Sequence, residues 1–157
     1  MTDGGNPGRD DSAFTVAELA YLRTQRLARL ATVDGRGRPQ NSPVGLHYNP
    51  ETDTIDIVGW NLAASRKYRN AAGHPYVSVV VDDMPVEGAP RGIEIRGQAE
   101  ALPGTNDFHV SGQPALIRVH PERVISWRIN RSRDGVGANR SFPTGRDVPS
   151  RRPRTAN

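Results

Sequence analysis

Residues 27–48 read LARLATVDGRGRPQNSPVGLHY, and their pattern predicts a β-hairpin. Side chains alternate over Leu27–Val33, and this short period favours a strand. Asp34 and Gly35 then supply a turn, because glycine adopts a positive φ at little cost. The return strand is expected over Gln40–Tyr48. The sequence around this hairpin is therefore predicted to be antiparallel β-structure.

More strands follow the hairpin toward the C-terminus, bounded by turn-forming residues. They are predicted at Thr54–Gly59, Tyr76–Val81, Gly92–Leu102, Ala115–Val119 and Val124–Ile129. From residue 130 onward we expect mostly coil.

Two segments have helical patterns. Thr15 and Glu18 form a capping-box pattern at the start of a predicted helix over residues 14–26, to which we assign no chemistry. A second short helix is predicted over residues 62–72, with Asn61 as its cap. Only this helix lies between strands, which argues against a parallel doubly wound sheet. The expected fold is mainly β (α+β): an antiparallel β-barrel of six or seven strands with two short helices.

The chain length of 157 residues fits one domain. We predict a disordered N-terminus over residues 1–12, the barrel domain over 13–129, and a disordered Arg/Pro-rich tail over 130–157. The net charge is +4, but residues 128–157 carry +6 and residues 1–127 carry −2. A nucleic-acid-binding domain concentrates positive charge on its folded surface, so this distribution argues against one. An electrostatic role for the tail alone stays open.

The sequence lacks the residues that several kinds of chemistry require. The sequence has no Cys, which excludes a disulfide, a catalytic thiolate and a cysteine metal site. The four His residues are isolated, so no metal site is expected. Dinucleotide, P-loop and serine-hydrolase motifs are absent. The sequence also has no apolar run of membrane-spanning length and no signal-peptide pattern, so we predict a cytoplasmic protein.

Residues 65–70, SRKYRN, carry three cations within four residues. Arg66 and Arg69 share a helical face, and Lys67 is the one lysine of the sequence. Guanidinium and ammonium groups are common phosphate-binding groups. The alternative interpretation of this cluster is a solvated helix face.

The order of segments along the chain resembles the pyridoxamine 5′-phosphate oxidase-like (PPOX-class) split β-barrel family. Within that family it is most similar to the branch of oxidoreductases that use the deazaflavin coenzyme F420. The resemblance covers about residues 14–129. The matching segments are LARLATVDG (27–35), PQNSPV (39–44), IDIVG (55–59), SRKYRN (65–70), HPYVS (74–78), GIEIRGQA (92–99) and IRVHPERVISW (117–127).

The resemblance implies a cofactor site at a homodimer interface. The ring edge of a flavin-like cofactor would be lined by backbone and short side chains of four residues: Asn41, Ser42, Pro43 and Val44. Gly59 and Trp60 would lie near the chain that leads to the phosphate. The phosphate would be held by Ser65, Arg66, Lys67 and Arg69. Trp127 and Arg128 would approach from the second subunit, although Trp127 also fits a core or interface aromatic.

The implied activity is hydride transfer between coenzyme F420 and an unsaturated small-molecule substrate. Three cations suit a deazaflavin better than FMN, because the deazaflavin carries extra carboxylates. An FMN-dependent oxidoreductase and a non-catalytic flavin, haem or tetrapyrrole binder stay open. A vitamin B6 oxidase is disfavoured, because its substrate-binding residues near the end of the chain are not found. His47 and Tyr48 are candidate proton donors, and the alternative for His47 is an ordinary surface residue.

Overall fold

The computed structural model describes residues 11–104, 115–129 and 143–149. Its helices are α1 (Val16–Thr24) and α2 (Arg66–Gly73), with a short 3-10 turn at Leu62–Ala64. Its strands are β1 (Leu27–Val33), β2 (Pro39–Asn49), β3 (Thr54–Val58), β4 (Tyr76–Asp83), β5 (Arg91–Leu102), β6 (Leu116–Trp127) and β7 (Thr144–Asp147). The predicted hairpin is confirmed, since β1 and β2 pair antiparallel from Leu27↔Gly45 to Val33↔Pro39.

Six of the described strands close into a barrel. Their order is β3-β2-β1-β4-β5-β6, and β3 also pairs with β6. Every pairing is antiparallel. Closure removes sheet edges and lets alternate side chains fill the interior. The fully buried interior includes Leu30, Ile55, Ile57, Val79, Ile93, Ile95, Ile117 and Val119. The predicted mainly β, antiparallel split-barrel fold is thus confirmed.

One long strand, β6, replaces the two that were predicted at Ala115–Val119 and Val124–Ile129. Pro121 lies in the middle of β6 and faces Gly97 of β5, next to a register shift after Arg96. A proline has no N–H for the ladder and is tolerated in a sheet at such a bulge. A side chain at Gly97 would collide with the His120 carbonyl, so glycine is needed for this close approach. The bulge therefore keeps the strand continuous.

The predicted helix over residues 62–72 is divided in two. Asn61 does not cap it: its φ is 50° and its side chain makes no capping hydrogen bond. Ser65 is the N-cap of α2 instead, because its Oγ accepts a hydrogen bond from the Tyr68 N–H at 3.3 Å. The cluster of cations therefore begins α2 and does not lie in the middle of a longer helix.

Two short segments that were predicted to be disordered make contacts with the barrel domain. Ser12, placed in the disordered N-terminus, donates a hydrogen bond to Asp53 at 2.7 Å. In the tail, Thr144–Asp147 forms β7 on the edge of β6. Arg146 in this strand pairs with buried Glu18 of α1, and that contact accounts for the ordered strand. The predictions for residues 1–10, 130–142 and 150–157 lie outside the described residues.

Candidate functional site

The predicted ring-binding residues alternate between the two faces of β2. Asn41 and Pro43 are exposed on the outer face, opposite Ala31 and Arg29 of β1. Val44 is 5% exposed and belongs to the core. Ser42 is half-buried on the same inward face as Val44. Val44 can therefore offer a ligand only its backbone, as the strand period requires.

The predicted phosphate-binding cations lie in the first turn of α2. Arg66 and Arg69 are exposed, and Lys67 is half-buried. Arg69 Nη1 donates to the Ala64 carbonyl at 2.9 Å. Within the described residues, no carboxylate pairs with any of the three cations, and the first turn of α2 has no acidic residue.

This arrangement is unfavourable for the helix alone. The N-terminus of a helix carries partial positive charge, and cations in the first turn add to it. A phosphate would offset both, since free backbone N–H groups and cations would point at the same anion. The donor set of Ser65, Arg66, Lys67 and Arg69 therefore fits the phosphate end of a flavin-type cofactor.

Asn70 brings α2 to the start of β2. Its Nδ2 donates to Thr32 Oγ1 and to Gln40 Oε1, both at 3.0 Å. Asn70 is 8% exposed, so these bonds form in a largely buried position. Gln40 precedes Asn41, and Asn70 lies one helical turn after Arg66. The structure thus places the cations beside the exposed end of the predicted ring-binding strand.

Gly59 and Trp60 leave the sheet between these two groups. The preceding Val58 pairs with Gly45 in the middle of β2. Trp60 is 79% exposed, which is unusual for so large an apolar ring. Asn61 reverses the chain direction in the left-handed conformation. The indole is therefore available to a ligand at the edge of the site.

Trp127 does not join this cluster within one chain. It ends β6, opposite Gly92 of β5, and lies well beyond the Ile117–Val119 segment of β6 that pairs with β3. A Cβ atom at Gly92 would lie 2.5 Å from Trp127 Cζ2, so the indole packs across this glycine. Trp127 and Arg128 are half-buried. Their predicted approach to the cofactor from a second subunit stays a prediction.

A groove of about 560 Å³ adjoins the predicted ring-binding strand. It is lined by the end of α1, by the second half of β2 and by the end of β3. The predicted proton donors His47 and Tyr48 both line it. The sequence analysis missed the groove because it assigned no chemistry to α1, whose end places Arg23 and Arg26 on the wall. The spacing of these two arginines was the available signal.

Tyr48 has a structural partner in this groove. Its hydroxyl donates to Asp53 Oδ1 at 2.8 Å, and its ring meets Phe14 edge to face at 5.8 Å. Burial, the Asp53 hydrogen bond and the Asp53 charge raise the pKa of Tyr48 above its ordinary value. The hydroxyl therefore holds the β2–β3 turn and is a poor acid, and His47 is the better donor of the two.

No group of three or more His, Asp or Glu side chains in residues 11–104, 115–129 and 143–149 is placed to hold a metal ion. No helix in these ranges is long and apolar enough to cross a membrane.

A closed antiparallel barrel with two short helices defines a split-barrel protein. The pyridoxamine 5′-phosphate oxidase family model matches residues 14–128. The chain belongs to this family.

The proteins that this chain is similar to in sequence or in fold have different functions. The chain is 41% identical over 119 residues to the 5a,11a-dehydrotetracycline/5a,11a-dehydrooxytetracycline reductase of Streptomyces rimosus, across 74% of this chain and 84% of that protein. Its fold is similar to a heme binding protein from Mycobacterium smegmatis, with a TM-score of 0.61, 15% identity, and 86% and 59% of the two chains covered. It is also similar to an FMN binding protein related to pyridoxamine 5′-phosphate oxidase from Nostoc punctiforme, with a TM-score of 0.53, 14% identity, and 73% and 84% covered. The family and the reductase relative together support an oxidoreductase.

Proposed function

We propose that the protein is a reductase that uses the deazaflavin coenzyme F420 to reduce an unsaturated small molecule. The observation that carries this proposal is the group of three cations at the start of α2, which have no carboxylate partner in the described residues and lie on the helix that Asn70 joins to the start of β2. The reductase from Streptomyces rimosus supports the direction of the reaction, because its substrates are dehydro compounds.

The number of cations favours the deazaflavin over FMN. FMN ends in one phosphate, whereas the deazaflavin continues into a chain with further carboxylates. Arg66 and Arg69 are exposed, whereas Lys67 is half-buried. The two arginines can therefore contact such a chain where it extends away from the barrel. Each cation–carboxylate contact at an exposed site contributes modestly, so several are needed for tight binding.

The residues of this chain position and shield the reactants. A bound reduced deazaflavin supplies a hydride to the substrate. Saturating a carbon–carbon double bond also consumes a proton, and His47 on the groove wall is the candidate donor. The exposed face of Asn41 and Pro43 and the indole of Trp60 supply the surfaces that hold the ring system in place.

The proposed working unit is a homodimer with the cofactor at its interface. The outer face of β1 and β4 carries apolar side chains beside the exposed Asn41 and Pro43 of β2. Leu27 is 52% exposed and Tyr76 is 65% exposed, and Ala31 and Val80 are half-buried on the same face. A second copy covering this face would bury these side chains and could bring its Trp127 to the cofactor.

The test is a titration of the protein with oxidised coenzyme F420 and, separately, with FMN, followed by quenching of tryptophan fluorescence. The Arg66→Gln/Lys67→Gln variant should bind the deazaflavin at least about tenfold more weakly, because two charged phosphate contacts are lost. The Arg23→Gln/Arg26→Gln variant removes the same charge from the groove wall and should bind the cofactor like wild type.

Each outcome of this titration has a definite meaning. Tight F420 binding that depends on Arg66 and Lys67, followed by oxidation of the reduced coenzyme on adding an unsaturated substrate, supports the proposal. Tighter binding of FMN than of F420 would identify FMN as the cofactor and overturn the deazaflavin assignment. Binding of neither F420 nor FMN also overturns the deazaflavin assignment.

A further inference from the structure

The groove beside the predicted cofactor strand has two chemically different parts. Its inner wall is apolar, formed by Leu22 of α1, Leu46 of β2 and Val58 of β3, with Pro50 at one end. Its rim carries Arg23 and Arg26, both exposed. None of the described residues that line it is an Asp or a Glu. The volume of about 560 Å³ lies in the range of pockets that hold drug-sized molecules.

The two rim arginines differ from most arginines of the barrel. Six others in the barrel strands and turns pair with carboxylates: Arg29–Asp82, Arg38–Asp34, Arg91–Asp83, Arg96–Glu94, Arg118–Asp56 and Arg123–Asp147. Arg23 and Arg26 have no ion pair or side-chain hydrogen bond within the part of the chain that the structure describes. Their guanidinium groups are therefore available to an anion from outside.

The groove is also continuous with the predicted cofactor site. Gly45 and His47 line it and follow directly on the Asn41–Val44 segment of β2. A molecule that lies along Leu46 and Val58 would thus have one end near the ring-binding strand. Its other end would lie toward Tyr48 and Pro50, and the guanidinium groups of Arg23 and Arg26 would lie along its side, since Leu27 pairs with Gly45.

We propose that this groove binds the substrate, and that the substrate is a flat, apolar molecule with an acidic group held by Arg23 and Arg26. This inference rests on the proposed reductase function. The rings would pack on Leu22, Leu46 and Val58, and the acidic group would accept charge-assisted hydrogen bonds from the two guanidinium groups. The reducible double bond would then lie against β2, close to His47.

The test uses two fluorescent probes with the same rings. Anilinonaphthalene sulfonate is anionic, and N-phenyl-naphthylamine lacks the sulfonate. The Arg23→Gln/Arg26→Gln variant should bind the sulfonate probe about tenfold more weakly than wild type and bind the neutral probe unchanged, because only the charged contacts are removed. Arg36→Gln is the control: Arg36 is exposed in the turn at the far end of β1, roughly 20 Å along the strand.

The outcomes separate this inference from the proposed function. Equal affinity of wild type and the Arg23/Arg26 variant for the sulfonate probe overturns the inference, and so does a loss for both probes alike. The F420 titration of the same variant is the independent readout. If the variant loses the sulfonate probe while neither protein binds F420, the groove assignment stands and the deazaflavin proposal fails.

Discussion

Glu18 is a buried charge whose partners come from both ends of the chain. It is 1% exposed. One carboxylate oxygen accepts from the Thr15 N–H at 2.8 Å, and the other accepts from Arg146 Nη1 at 2.9 Å. Burial raises the pKa of Glu18, but the hydrogen bonds from Arg146, Thr15 and Ser126 together have a larger, opposite effect. The pKa therefore lies below its ordinary value.

Replacing Arg146 with Gln should lower the free energy of unfolding by about 2–3 kcal/mol at neutral pH, because Glu18 would stay buried without its cation. The partial exposure of Arg146 keeps the loss below that of a fully buried pair. Because the folded pKa is lowered, the pair stabilises the protein above the ordinary value of 4.5, and that contribution is lost as the pH falls through the lower folded value. Urea denaturation at a series of pH values measures both effects.

The matched control is the ion pair between Arg123 of β6 and Asp147 of β7. Arg123→Gln removes the pair with Asp147, whose side chain is 82% exposed. An exposed pair of this kind contributes less than about 1 kcal/mol. If both variants lost the same small amount of stability, the Arg146–Glu18 pair would not have the role assigned to it.

At the scale of elements, helix α2 depends on its first residues for both its start and its proposed function. Ser65 Oγ accepts from the Tyr68 N–H and donates to the Leu62 carbonyl at 2.6 Å. It therefore joins the 3-10 turn to α2. The same residue sets the direction in which Arg66, Lys67 and Arg69 leave the helix.

Ser65→Ala should destabilise the protein by about 1 kcal/mol, because the cap that satisfies a helix N–H is removed. For a chain of this size, such a loss lowers the Tm by roughly 2–4 °C. Thermal unfolding followed by circular dichroism measures it, with Ser65→Thr as the control that keeps the hydroxyl. A Tm of the Ala variant equal to that of wild type would show that Ser65 does not determine the start of α2.

At the scale of the whole molecule, the outer face of β2, β1 and β4 is the surface proposed to contact a second copy of the chain. Ala31 lies at its centre, between Asn41 of β2 and Ser78 of β4. The face around it mixes apolar side chains, such as Leu27, Tyr76 and Val80, with the Arg29–Asp82 ion pair. A face of this composition is typical of an interface.

Ala31→Arg should convert the expected dimer into a monomer, because a long charged side chain would be placed in the centre of the covered face. Light scattering coupled to gel filtration measures the mass in solution. Ala20→Arg adds the same side chain on the exposed surface of α1 and should leave the mass unchanged. A wild-type protein that is monomeric at high concentration would contradict the dimer proposal directly.

What the sequence by itself determined is local. The β1–β2 hairpin, the Thr15–Glu18 capping box and the alternation of the later strands follow from neighbouring residues, and all were predicted. The cations of the SRKYRN segment could also be identified from the sequence, because they lie within four consecutive residues. The antiparallel barrel class followed from the spacing of strands and the scarcity of helices between them.

Only the tertiary structure decided the contacts between distant parts of the chain. The closure of β3 on β6, the pairing of Arg146 with Glu18 and the groove between α1 and β2 each join residues far apart in sequence. Local patterns cannot specify such contacts, because each depends on where the barrel brings two segments together. For the same reason the Pro121 bulge and the start of α2 at Ser65 were missed: the partner strand decided the first, and a competing cap decided the second.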